Sequence, residues 1–199
     1  MLYRIGRHIA RIAMKLLFDV RVEGSENIPR QGPLVVCANH ISWWDPVVLA
    51  WIMPWPVHFM AKRELFNNRL FAYVLSKLHA FPVSREKADV GAIRTGLSVL
   101  SAGQVVGIFP EGTRQKTPDQ LGPGHGGAAL LALKTGAPVL PVAIRGSYGL
   151  RSVIRVACGA PFEITPGIGK LAADVQEGSL QVMEAIRDLW ETLAPDKRA

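Results

Sequence analysis

The chain has 199 residues, enough for one domain whose core needs neither a disulfide nor a metal staple. With 49% hydrophobic residues and a mean hydropathy of +0.18, it reads as a folded domain with extra apolar surface. Its net charge of +7 calls for an anionic partner, which is nucleic acid, an anionic membrane or a phosphorylated substrate according to where the charge sits.

Residues 1–18, "MLYRIGRHIARIAMKLLF", place four of those net charges (Arg4, Arg7, Arg11 and Lys15) on one helical face beside His8, with no acid. Ile5, Ile9, Ile12 and Leu16 form a second stripe, widened by Ala13 and Leu17. The segment is too charged to span a bilayer and lacks the three-part layout of a signal peptide. It is expected to lie in the plane of a membrane surface, with its basic side chains at the headgroups. The plainer reading is an amphipathic helix docked on the domain's own core. The chain is accordingly divided into a membrane-associating helix, 1–18, and a folded domain, 19–199.

Five short apolar runs follow: 33–39, 57–61, 80–84, 105–110 and 138–144. They are continuous rather than alternating, as in strands covered on both faces. Between them a helix is predicted from Pro46, another over 88–101 (Val90, Ile93, Leu97 and Leu100 on one face, Gly103 as its stop) and another over 126–135, ending before Gly136. A long helix over 172–193 closes the chain, with Leu180, Met183, Ile186, Leu189 and Trp190 near one side. This alternation predicts an α/β fold with a mainly parallel central sheet flanked by helices, and sites beyond the carboxyl ends of its strands.

Beyond the first run comes "NHISWWDP", with His40 and Asp45. Asp45 precedes a proline, which predicts it as the N-cap of the helix opening at Pro46. An imidazole one short loop from a carboxylate is suited to remove a hydroxyl proton near neutral pH, the carboxylate fixing its tautomer. The plainer reading of the same string is a cap and a polar loop residue. Four tryptophans, Trp43, Trp44, Trp51 and Trp55, cluster here and serve as a lipid-facing rim or as core packing. Cys37 and Cys158 read as small buried hydrophobes in a reducing compartment. No histidine or cysteine spacing suggests zinc, so no metal is expected.

Three more strings settle the reading of His40. "FMAKRELF" (59–66), "FPEGTR" (109–114) and "PVLPVAI" (138–144), in this order after "NHISWWD", resemble the 1-acyl-glycerol-3-phosphate (lysophosphatidate) acyltransferases and their glycerolipid acyltransferase relatives over roughly residues 20–165. The resemblance implies that His40 is the catalytic histidine and Asp45 its partner acid. It links Arg85, in "FPVSRE", to the acceptor phosphate, makes Glu111, Gly112, Thr113 and Arg114 the acceptor-binding block, and ties "LPVAI" to the acyl side. One departure stands out: where the family often has a lysine before the next helix, "GPGHGGAAL" has His125.

The residue types fit that implication. Gly112 lets backbone approach a ligand, Thr113 adds a hydroxyl donor, and the fork of Arg114 suits a phosphate unless it only pairs with Glu111. Lys62 is a further phosphate candidate, and Glu111 is better placed to accept from an acceptor hydroxyl or to hold Arg114 than to face a phosphate. The expected reaction is transfer of a fatty acyl group from acyl-CoA or acyl-carrier protein, as co-substrate rather than cofactor, to the free hydroxyl of a lysophospholipid acceptor. It would run at the cytoplasmic face of an anionic membrane, without nucleic acid. Glycerol 3-phosphate or another lyso-lipid as acceptor, a thioesterase, and a non-catalytic basic membrane adaptor are the alternatives.

Overall fold

A computed structural model of the chain describes residues 2–84, 89–115, 120–167 and 170–193. Helix α1 (Leu2–Leu17) leads into strand β1 (Phe18–Glu23), and β2 (Leu34–Ala38) is followed by α2 (Asp45–Ile52). Then come β3 (Val57–Lys62), α3 (Arg69–Lys77), β4 (Phe81–Val83), α4 (Val90–Ser101) and β5 (Val105–Ile108). The chain ends through α5 (Gly127–Thr135), β6 (Val139–Gly146), β7 (Ser152–Cys158) and α6 (Leu171–Thr192).

The seven strands form one sheet in the order β1-β7-β6-β2-β5-β3-β4. From β6 to β4 every neighbouring pair is parallel, whereas β7 is antiparallel to β6 and pairs in parallel with β1. The expected α/β class, with a mainly parallel sheet, is what the chain adopts. In β2, Leu34, Val36 and Ala38 pack into a core with α1 and α2, and Val35 and Cys37 into a second core with α4, α5 and α6. All five are fully buried, which explains why the run is continuously apolar.

Strands β1 and β7 and helix α3 are absent from the sequence reading. "FDVRVE" alternates, with Asp19, Arg21 and Glu23 exposed between Phe18, Val20 and Val22, so a search for unbroken apolar runs passes over it. Helix α3 buries none of its residues, so it has no inward stripe to detect.

Two predicted helix faces hold apart from one residue each: Ile93, Leu97 and Leu100 of α4, and Met183, Ile186, Leu189 and Trp190 of α6, are buried or pack against the cores. In α4 the buried residues are Ala92, Gly96 and Leu100, because Gly96 lets Leu131 of α5 pack against the helix, and Val90 is exposed. In α6 the buried stripe is Gly178, Val182, Met183 and Ile186, and Leu180 faces out. In both helices small residues mark the close approach, and a search weighted toward large apolar side chains misses them.

Helix α1 docks on α2 and β1 through Met14, which is fully buried, whereas Ile12 and Leu16 are 58% and 69% exposed. Of the predicted apolar stripe, Ile12 and Leu16 face away from the core, Leu17 packs against it, and the side chains of Ile5 and Ile9 lie outside the described residues. The side chains of Arg4, Arg7 and Arg11 lie outside the described residues. No described helix is long and apolar enough to cross a membrane. Both cysteines are free and buried, and burial, helped by the charge of Glu26, pushes the Cys158 thiol up to about 12.

Candidate active site

The site lies where β2 and β5 end side by side, next to β6, which runs on to Gly146. The register sets Cys37 against Ile108 and Ala38 against Val142, so the loops leaving β2 and β5 emerge together. They are stitched by a backbone hydrogen bond from Gln115 N–H to the His40 carbonyl (2.8 Å). Asn39 fixes the end of β2 from the other side. Its buried amide donates to the Ile144 carbonyl (2.8 Å) and accepts from the Ile144 N–H (2.7 Å), continuing the β2–β6 ladder with a side chain. The segment 138–144 therefore does more than fill the core: its backbone anchors the residue before His40.

His40 and Asp45 meet inside this enclosure. His40 Nδ1 lies 2.7 Å from Asp45 Oδ2, with both side chains buried. A carboxylate only accepts, so Nδ1–H donates and Nε2 keeps its lone pair. The same Oδ2 accepts from the N–H groups of Ile41 (2.6 Å) and Ser42 (2.7 Å). The N-cap expectation for Asp45 is corrected: Trp44 holds the cap position, Asp45 is the first residue of α2, and its carboxylate turns back into the loop. The loop amides and the imidazole are nearer donors than the helix's own N–H groups. The other oxygen, Oδ1, accepts from the Tyr148 hydroxyl at 2.6 Å. Burial first, and then the Asp45 charge, raise the Tyr148 phenol well above its ordinary range, so it stays a donor. Tyr148 follows β6, more than a hundred residues from Asp45, and nothing in its local sequence marks it.

The imidazole also has a floor. His40 stacks on Phe109 (centroids 4.1 Å apart, planes 18° apart), and Phe109 lies 6.2 Å from Phe59 in a near-parallel stack. Phe59 can lie over β5 because residue 107 is glycine. A Cβ there would fall 2.5 Å from the Phe59 ring.

The "FPEGTR" loop supplies the rest. Gly112 has φ +66°, which L side chains rarely adopt, and the His125 ring lies against it, 2.9 Å from where a Cβ would stand. His125 is thus held over the loop, its own backbone N–H bonded to the Pro110 carbonyl. Arg114 is exposed, with its guanidinium carbon over the exposed Trp43 ring, 4.0 Å from its centroid. This cation–π contact holds the guanidinium and leaves N–H groups to meet an anion. Arg114 does not pair with Glu111. Glu111 is buried, and neither of its oxygens makes a well-formed hydrogen bond among the described residues. Burial raises its pKa, and the nearby Gln115 side chain and the His40 and Gly122 N–H groups only partly offset this. Thr113 is exposed on the same loop.

Of the two remaining candidates, Lys62 ends β3, exposed, 3.4 Å from Glu64, and Arg85 lies outside the described residues. The tryptophans divide: Trp44 and Trp55 pack against the core, Trp51 is partly buried, and Trp43 carries Arg114. Among the described residues no three His, Cys, Asp or Glu side chains group as metal ligands.

Comparison with known proteins sets this arrangement in context. The family model described as Acyltransferase matches residues 19–145. A 1-acyl-sn-glycerol-3-phosphate acyltransferase of Bacillus subtilis is 36% identical over 146 residues, covering 73% of this chain and 72% of that protein. A protein of the same name from Streptococcus pneumoniae is 35% identical, and the match spans about half of its length (51%). A lyso-ornithine lipid O-acyltransferase of Pseudomonas aeruginosa is 35% identical over 68% of this chain and 51% of its own length. The crystal structure of the 1-acyl-sn-glycerophosphate acyltransferase PlsC from Thermotoga maritima superposes with a TM-score of 0.77 at 26% identity. That superposition covers 96% of this chain and 78% of that one.

Proposed function

Because the chain belongs to the acyltransferase family, we propose that it acylates the free hydroxyl of 1-acyl-glycerol 3-phosphate to give phosphatidic acid, with an acyl thioester as donor. The observation that carries this is the buried His40–Asp45 pair, tied through the His40 carbonyl to the loop that presents Arg114.

Each residue then has a role. Arg114, braced on Trp43, meets the acceptor phosphate and sets the distance from phosphate to hydroxyl. His125 lies over the same loop as a second, titratable donor. His40 Nε2 takes the hydroxyl proton as the oxygen attacks the thioester carbonyl. Asp45 holds the resulting imidazolium, and Ile41, Ser42 and Tyr148 hold Asp45. The tetrahedral intermediate collapses, the C–S bond breaks, and the proton on His40 passes to the departing thiolate. The alcohol thereby becomes an ester and the carrier leaves as a thiol. Glu111, buried without a well-formed hydrogen bond, is positioned to accept from an acceptor hydroxyl. The donor is acyl-CoA or acyl-carrier protein. The reaction runs on the surface of an anionic membrane at its cytoplasmic face, with α1 lying in the headgroup layer and Ile12 and Leu16 toward the lipid.

The test is a panel of acceptors (lysophosphatidate, glycerol 3-phosphate and lyso-ornithine lipid) with each donor, read by product mass, with His40→Ala as control. Phosphatidic acid formed by the parent protein and lost in the variant is the expected result. Thiol release without any acylated acceptor would overturn the reading in favour of a thioesterase. Lyso-ornithine lipid belongs in the panel because a relative of that name is as similar as several of the others.

A further inference from the structure

Helix α3 inverts the usual partition of a surface helix. Leu70, Val74 and Leu78 step by four along one side, flanked by Phe71 and Tyr73, and all five are exposed, Leu70 and Phe71 by 70% and 62%. Within the helix no residue is buried. Nor is there an acid anywhere from Leu65 to Ser84, whereas Arg69 and Lys77 are present. Lys77 lies over the Tyr73 ring, 5.5 Å from its centroid, and so runs its stem along the apolar surface. The patch is continuous with α1: Leu78 Cδ2 is 3.0 Å from the point where a Cβ on Gly6 would stand, and further along α1 Ile12 and Leu16 are exposed.

We propose that α3 is a second membrane-contact element, lying with α1 in the headgroup layer of an anionic bilayer as one apolar face edged with cations. The inference rests on the reading that the chain works at a membrane surface. Charge selects the occupant. A second copy of this chain would set one acid-free basic flank against another, whereas anionic headgroups complement it. Length selects the mode: nine residues are far too few to cross a bilayer, so the helix lies in the plane. The consequence is a two-point attachment, one point through α1 and one through the link between β3 and β4.

The experiment compares the parent protein with the triple variant Leu70→Ser, Phe71→Ser, Val74→Ser. All three positions are exposed, so the fold is not at stake. Partition onto vesicles of equal parts phosphatidylglycerol and phosphatidylcholine is expected to fall about tenfold or more, while turnover of a water-soluble short-chain acceptor and donor stays at the parent level. Unchanged partition overturns the proposal, as does a variant that turns a dimer into a monomer in sedimentation without losing vesicle binding. A second measurement labels Val74→Cys with a polarity-sensitive dye, both native cysteines being buried. A blue shift on adding the vesicles is expected, and no shift overturns the proposal. Vesicle binding is read separately from turnover, so this face and the proposed reaction fail independently.

Discussion

The end of the central strands and the α1–α3 flank are opposites. At the strand ends polar groups are buried: Asn39, His40, Asp45 and Glu111 all lie inside. On the flank apolar groups are exposed: Ile12, Leu16, Leu70 and Phe71 stand in solvent. Each region breaks the ordinary partition of residue types in the opposite sense. Buried polar groups are tolerable where donors and acceptors converge, and three of the four are satisfied in that way. Exposed apolar groups are tolerable where another apolar phase covers them. The proposed chemistry and the proposed attachment therefore fall on separate surfaces, and they should respond separately to substitution.

The largest expected effect is on the buried side. His40→Ala should lower kcat by about 10²–10⁴-fold with a water-soluble substrate pair, measured by thiol release, while vesicle partition is unaffected. A loss of both would break the separation. Next is the anion fork: Arg114→Ala should lower kcat/KM for the phosphorylated acceptor about 10–100-fold, mainly through KM. Trp43→Ala should reproduce part of that loss by freeing the guanidinium, by about 2–5-fold for a contact of ~0.5–1 kcal/mol. If the Trp43 variant loses vesicle binding and keeps its KM, then Trp43 belongs to the flank rather than to the site.

Tyr148→Phe removes one hydroxyl and little shape. It should lower kcat about tenfold with KM nearly unchanged, since it deletes a hydrogen bond to a buried carboxylate worth about 1.5–3 kcal/mol. Steady-state kinetics on the short-chain pair decides it, and a change confined to KM would place Tyr148 in substrate binding instead.

The smallest effect is on stability. Burial raises the Glu111 pKa in the folded chain, so the group costs nothing below the ordinary carboxyl range, and its penalty grows as pH rises through the raised value. Glu111→Gln should therefore raise Tm by about 2–4 °C at pH 8, the size of a ~1 kcal/mol change in a chain this long. The gain should shrink toward zero in acid, followed by thermal melts across pH. An equal gain at every pH would mean that the carboxylate is not strained by burial.

Much of this was legible in the residues themselves. Five continuous apolar runs gave the parallel part of the sheet, because strands covered on both faces need apolar residues at every position. His40 and Asp45 were legible because both lie in one short loop, and the Arg114 loop because its string is distinctive. What escaped depends on partners distant in the chain. Tyr148 reaches Asp45 across 103 positions, and Asn39 reaches Ile144 across 105.

By itself, then, the sequence determined the residue types of the candidate site, the order of the elements that hold them, and the basic, apolar start of the chain. These follow from spacing within a few residues, where helix and strand periods and turn chemistry act directly. Only the tertiary structure decided that Asp45 turns back into its loop rather than capping its helix, that Arg114 rests on Trp43 rather than on Glu111, and that α3 is left uncovered. For Arg114 the winning ring comes from a distant part of the chain, and for α3 what decides is the absence of a cover from the rest of the fold, which no local pattern contains; for Asp45 the competing donors are local, and only the folded loop ranks them.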